Sequence, residues 1–85
     1  MKVTVLYFAA LRERLGIAHE ECTLPQEVST VAALRDWMTT RGAPWSEAFA
    51  GMPRVRAAVD QAMARAETPL RDGVEVAFFP PVTGG

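Results

Sequence analysis

The sequence predicts an α+β domain, a mixed sheet with one main helix packed across one face. Three observations carry that prediction. Segments rich in β-branched and aromatic residues lie at both ends of the chain, at 3–8 (VTVLYF) and 74–79 (VEVAFF). Between them only one stretch, from Val31 to Arg41, has sustained helical spacing. The order is strand, strand, helix, then several strands, and one long helix cannot cover both faces of a sheet.

Each element has its own signal. In 3–8, Val3, Val5 and Tyr7 share one face and Thr4, Leu6 and Phe8 the other, so both faces are apolar and the strand is central. Residues 11–16 (LRERLG) read as a short turn closed by Gly16, a residue suited to the left-handed region. Residues 17–24 read as a second strand, antiparallel to the first, with Ala18, Cys22 and Leu24 inward and His19, Glu21 and Thr23 outward. Pro25 stops it. Ser29 or Thr30 then offers an N-cap oxygen, and Val31, Leu34, Trp37, Met38 and Arg41 form one helical stripe closed by Gly42. Pro44 opens a shorter helix, with Trp45, Ala48 and Phe49 on one side and Gly51 at its end. Residues 54–60 alternate as a third strand. Residues 61–67 fit either a turn plus a short strand or one helical turn. Asp72-Gly73 marks a turn before the last strand. Two hairpin strands followed by a crossover helix is the build of the ubiquitin-like β-grasp, whose first and last strands lie parallel at the centre. The expected division is a domain at 1–79 and a flexible tail at 80–85.

Composition narrows the functions. Eighty-five residues make one domain, and 49% hydrophobic residues supply a core. A net charge of −1 lacks the basic footprint of a nucleic-acid binder. No apolar run approaches the roughly 20 residues of a membrane span. Met1-Lys2-Val3 leads straight into a strand with no signal-peptide h-region, and a lone Cys22 cannot form an internal disulfide, so a cytoplasmic location is expected. His19 and Cys22 stand alone, without metal-ligand spacing, and no metal site is expected. Glu13, Glu20 and Glu21 read as surface charge, and Arg35, Arg41 and Arg65 as solvated faces. There is no phosphate-binding glycine loop and no internal catalytic constellation.

The chemistry therefore points to the end of the chain. Pro80 and Pro81 fix φ near −65° and lack donors, so they end a strand and project Val82, Thr83, Gly84 and Gly85 away from it. At about 3.3 Å per residue the tail spans at most about 20 Å, enough to enter another protein's active site. Glycines thread where side chains do not fit, and the Gly85 carboxylate is open to activation. For a bare glycine pair a frayed terminus is the better reading, and it is the residues upstream that shift it. Phe79 shares a face with Ala77 and Glu75. With Phe8 beside it on the first strand, it forms either a docking patch on the uncovered face or a second small core under the loops.

The motif Phe78-Phe79-Pro80-Pro81-Val82-Thr83-Gly84-Gly85, preceded by Leu70-x-Asp72-Gly73-x-Glu75-Val76-Ala77, resembles the ubiquitin-like sulfur-carrier family of molybdopterin synthase small subunits. So do VTVLYFAALRE at 3–13, VAALRDWM at 31–38 and Ala57-Ala58-Val59. The chain departs from the family at Asp60, where Asn is common, and at Val74, where Asp is frequent, and 42–54 match least. The resemblance implies a sulfur carrier in molybdenum cofactor biosynthesis. A partner adenylating (activating) enzyme uses ATP on the Gly85 carboxylate, and a sulfur nucleophile displaces AMP to leave a thiocarboxylate. The large synthase subunit then accepts the tail, and sulfur passes to a cyclic pyranopterin monophosphate precursor. The implied assembly is a heterotetramer with the large subunit. The carrier itself is a non-catalytic, sulfur-donating subunit with no tightly bound cofactor. Phe79, Phe8, Leu11 and Arg12 are the expected partner interface. The alternatives are a carrier for thiamine, cysteine or tRNA thiolation, a ubiquitin-like protein modifier, and an inert interaction module.

Overall fold

The computed structural model describes residues 1–81, so Val82, Thr83, Gly84 and Gly85 of the expected tail lie outside the described residues. The described elements are β1 (Lys2–Tyr7), α1 (Ala9–Leu15), β2 (His19–Thr23), α2 (Val31–Thr39), α3 (Trp45–Ala50), β3 (Arg56–Val59), β4 (Ala62–Met63) and β5 (Glu75–Phe79). They make one sheet in the order β2-β1-β5-β3-β4. The first and last strands pair in parallel at its centre, Val5 opposite Val76 and Tyr7 opposite Phe78, and the other pairs are antiparallel. This is the expected β-grasp arrangement.

Strand alternation sends Val3, Val5, Tyr7, Val76 and Phe78 to one face, where they are almost completely buried with Leu34 and Met38 of α2 and Phe49 of α3. The rings of Phe49 and Phe78 meet edge to face at 5.3 Å. Each such side chain contributes about 1.5–3 kcal/mol by leaving water. The Thr30 side chain accepts a 3.1 Å hydrogen bond from the Ala33 N–H and so caps α2. β5 ends at Phe79, immediately before the donor-less Pro80.

Three local expectations change, and one left open is settled. Residues 11–16 are not a turn but most of α1, a seven-residue helix that buries Leu11 and Leu15, four positions apart, and closes on Gly16 at φ 76°. The second strand is shorter than 17–24. The chain leaves Gly16 turned outward, so Ile17 and Ala18 are exposed, although the Ala18 carbonyl still accepts the Tyr7 N–H at 2.8 Å. Residues 61–67 resolve into the short strand β4. It is joined to β3 by a two-residue turn in which Asp60 (φ 48°) and Gln61 (φ 69°) are both left-handed, the geometry of a type I′ hairpin.

The third change concerns Glu20 and Arg41, which are not simply solvated. The Glu20 carboxylate accepts from the Tyr7 hydroxyl at 2.6 Å, from Arg41 through two nitrogens at 2.8 and 2.9 Å, and from the Trp45 indole at 3.1 Å. The Arg41 guanidinium also lies 3.9 Å over the Trp45 ring. Burial alone would raise the Glu20 carboxyl, but the hydrogen bonds from Arg41 and Tyr7 outweigh it and hold the group below its usual range. The Tyr7 hydroxyl is pushed far up, first by burial and then by its bond to Glu20. The network ties β1, β2, the end of α2 and the start of α3 at one flank of the sheet.

Candidate functional site: the open sheet face

Helices cover only the Val5/Val76 face. The ladder registers place the other side chains in rows across the sheet. His19, Leu6, Ala77, Ala58 and Met63 occupy one row, each on a successive strand of β2-β1-β5-β3-β4. Beside it, toward the C-terminal end of β5, Phe79 lies opposite Arg56. Phe8 follows β1 at the same level, its N–H donating to the Phe78 carbonyl at 3.1 Å. On the other side of the central row, Glu21, Thr4 and Glu75 form a polar row. The centre of the open face is therefore apolar, with carboxylates toward one end and Arg56 toward the other.

This is a usable surface. Phe8 is 45% exposed and Met63 59%, while Phe79 and Leu6 are half-buried around the small Ala77 and Ala58. A folded domain gains nothing by leaving such side chains in water, and an apolar patch of this kind is what makes the face the candidate site. Of the two readings open from sequence, the exposure of Phe8 rules out a second small core closing over it.

The remaining expected residues separate. Arg12 is exposed on α1, the helix that leaves Phe8. Leu11 corrects the sequence expectation: it is 0% exposed and belongs to the core, so it presents no surface to a partner. Pro80 and Pro81 continue from Phe79, and the proposed reactive residue, Gly85, lies outside the described residues. Met63 and Arg56 were not singled out from sequence. Their place on this face follows from the β3–β5 and β3–β4 registers, and the alternation of 54–60 was the available hint for Arg56.

The described residues hold no group of His, Cys, Asp or Glu that would bind a metal ion. The Cys22 thiol is buried and pushed up to about 11 by that burial, which keeps it protonated and unreactive. What the geometry can do is present a strand end: an apolar face, two aromatics at its edge, and a stiff Pro-Pro exit from the central strand. Among the described residues no helix is long and apolar enough to cross a membrane.

Residues 5–85 match the ThiS family. The chain belongs to that family. It is 42% identical over 83 residues to the molybdopterin synthase sulfur carrier subunit of Escherichia coli, covering 98% of this chain and 99% of the relative. A putative molybdopterin converting factor subunit 1 from Pyrococcus furiosus has the same fold, with a TM-score of 0.78 and 32% identity over 96% of this chain and 99% of that one. The complex of subunits 1 and 2 of molybdopterin-converting factor from Helicobacter pylori contains a chain alike in fold, with a TM-score of 0.66, 21% identity and full coverage of both chains. The family's span takes in the open face and the Pro-Pro exit together.

Proposed function

We propose that the protein is the sulfur carrier of molybdenum cofactor biosynthesis, with its sulfur held as a thiocarboxylate on Gly85. The observation that carries this reading is the apolar open face of Leu6, Phe8, Ala77 and Phe79 at the root of the Pro80-Pro81 exit. A partner that grips this face fixes the start of the tail and, through two prolines, its direction. The end of the tail then enters the partner's active site already oriented, which lowers the entropy cost of the reaction.

The steps balance without any catalytic group on this chain. A Gly85 carboxylate oxygen attacks the α-phosphorus of ATP in the activating enzyme and pyrophosphate leaves. A sulfur nucleophile from a donor protein attacks the acyl carbon and AMP leaves. Where that nucleophile is the outer sulfur of a donor persulfide, the product is an acyl disulfide. A second thiol attacks the donor's sulfur, the donor is left as a disulfide with that thiol, and the Gly85 thiocarboxylate is released with one oxygen replaced by sulfur. In the large synthase subunit that sulfur is transferred to the pyranopterin precursor, and the carboxylate returns for another cycle. A dithiolene needs two sulfurs, so each product consumes two turnovers. Glycine at 84 and 85 leaves room for close protein walls that exclude water from the acyl group.

The test is a synthase reconstituted from this chain, the large subunit, the activating enzyme, a sulfur donor and ATP. Deletion of Gly85 abolishes sulfur transfer with the thermal transition unchanged. Retained transfer by the shortened chain would overturn the mechanism.

A further inference from the structure

We propose that the cavity between α2, α3 and the β3–β4 hairpin is a docking site for an acidic segment of a partner protein, which inserts one large apolar side chain. The site lies on the helix side of the sheet, away from the open face, and the inference goes beyond the sulfur-carrier reading.

The cavity has a volume of about 500 Å³, within the roughly 300–1,000 Å³ typical of ligand sites. Phe49 and Phe78, packed edge to face, contribute to its apolar lining. Val31 and Val55 line it too, and the small Ala57 and Ala64 leave space that larger residues on β3 and after β4 would fill. Arg35 and Arg65 also line it on this side of the sheet, against one acidic residue, Asp36. Neither arginine is in an ion pair among the described residues. Arg35 is held in place by donating to the Pro53 carbonyl at 2.6 Å, which leaves its other N–H groups available. An apolar interior flanked by two unpaired arginines and one aspartate selects an apolar body accompanied by carboxylates.

The backbone decides how such a partner binds. The Val31 and Ala32 N–H groups at the start of α2 already donate to the Thr68 and Ala66 carbonyls at 3.1 and 2.8 Å. The Ala64 N–H donates to the Ala57 carbonyl at 2.9 Å. These main-chain groups have no capacity left for an added strand, so recognition is by side-chain insertion and ion pairing. Phe78 lines the cavity while its neighbour Phe79 points to the opposite face, so an occupant sits beneath the root of the tail and leaves the docking patch free.

The probe is the peptide acetyl-EDFDE-amide, titrated into the ¹⁵N-labelled full chain and followed by amide chemical shifts. Saturable shifts are expected at Val31, Arg35, Ala57 and Ala64, with Leu6 and Ala77 unmoved. Replacing the peptide's phenylalanine by alanine, or its acids by lysines, abolishes them. Arg65→Ala, whose guanidinium makes no hydrogen bond or ion pair among the described residues, and the Arg35→Ala/Arg65→Ala pair each weaken binding, the pair by roughly tenfold or more for two lost charge-assisted contacts. Three results would overturn the proposal: no saturable shifts at millimolar peptide, shifts confined to the open face, or equal binding of the lysine peptide.

Discussion

Replacing Glu20 by alanine removes the acceptor shared by three donors, and the size of the loss can be worked out from their surroundings. Arg41, the Tyr7 hydroxyl and the Trp45 indole would all lose a partner at once. Tyr7 is 1% exposed, so its hydroxyl has little access to replacement water. The Glu20 and Arg41 side chains keep 18% and 23% of their exposure, so solvent recovers part of the ion-pair loss. A hydrogen bond to a charged group contributes about 1.5–3 kcal/mol, and breaking a fully buried pair costs about 3–5 kcal/mol. After allowance for the exposed edge, about 2–3 kcal/mol is expected, which for a domain of this size lowers Tm by roughly 8–24 °C. Urea denaturation at pH 7 measures it directly. The pH dependence has a defined sign. The Glu20 carboxyl is depressed in the folded state. Its contribution is therefore complete above the ordinary carboxylate value of about 4.3 and is lost as pH falls through the lower folded value. The stability gap between the natural chain and Glu20→Gln must narrow in that acid range. A loss below about 0.5 kcal/mol at pH 7, the level of an ordinary surface pair, or a gap that stays constant into acid, would refute the reasoning.

Other perturbations separate surface from core. Phe79→Arg places a charge on the apolar open face and should weaken binding to the large synthase subunit in calorimetry while leaving Tm nearly unchanged; unaltered affinity would remove Phe79 from the interface. Leu11→Ala should do the reverse, costing about 2–5 kcal/mol of stability by opening a core cavity, with affinity for the partner intact at temperatures where the variant is folded. At the β3–β4 turn, Asp60→Val puts a β-branched residue at positive φ and removes the carboxylate that accepts the Glu75 N–H at 3.0 Å, so a loss of about 1–3 kcal/mol is expected. Asp60→Asn, which tolerates the same backbone, should stay close to the natural stability in the same urea titration.

The parts of the fold that sequence made legible are those where pattern and cap agree. β1 and β5 alternate cleanly, and α2 has both its stripe and its Thr30 cap, so their pairing into a β-grasp followed from order alone. α1 escaped because its N-cap is Phe8, whose side chain makes no capping bond, and because seven residues give only the pair Leu11 and Leu15 as periodicity. β4 is two residues long, and Ala62 and Met63 carry little strand signal. Glu20 was legible and overlooked: it has the same parity as Ala18, Cys22 and Leu24, the residues assigned inward, and a carboxylate on that side of an edge strand needs partners from elsewhere in the fold. Those partners, Arg41 and Trp45, come from 21 and 25 positions away, a proximity no local pattern encodes. Phe8 and Phe79 were placed side by side from alternation, but the contribution of Met63 and Arg56 to the same face depends on registers that only the assembled sheet defines. The cavity beneath Phe78 likewise exists only once α2, α3 and the hairpin are brought together.

The central claim is that this chain carries sulfur on Gly85, and one measurement tests it most directly. The full chain is incubated with its activating enzyme, a sulfur donor and ATP, and its intact mass is recorded. The account predicts a gain equal to one oxygen replaced by sulfur, present only with ATP and absent when Gly85 is deleted. An unchanged mass, with the same enzyme shown to modify another carrier, would contradict it.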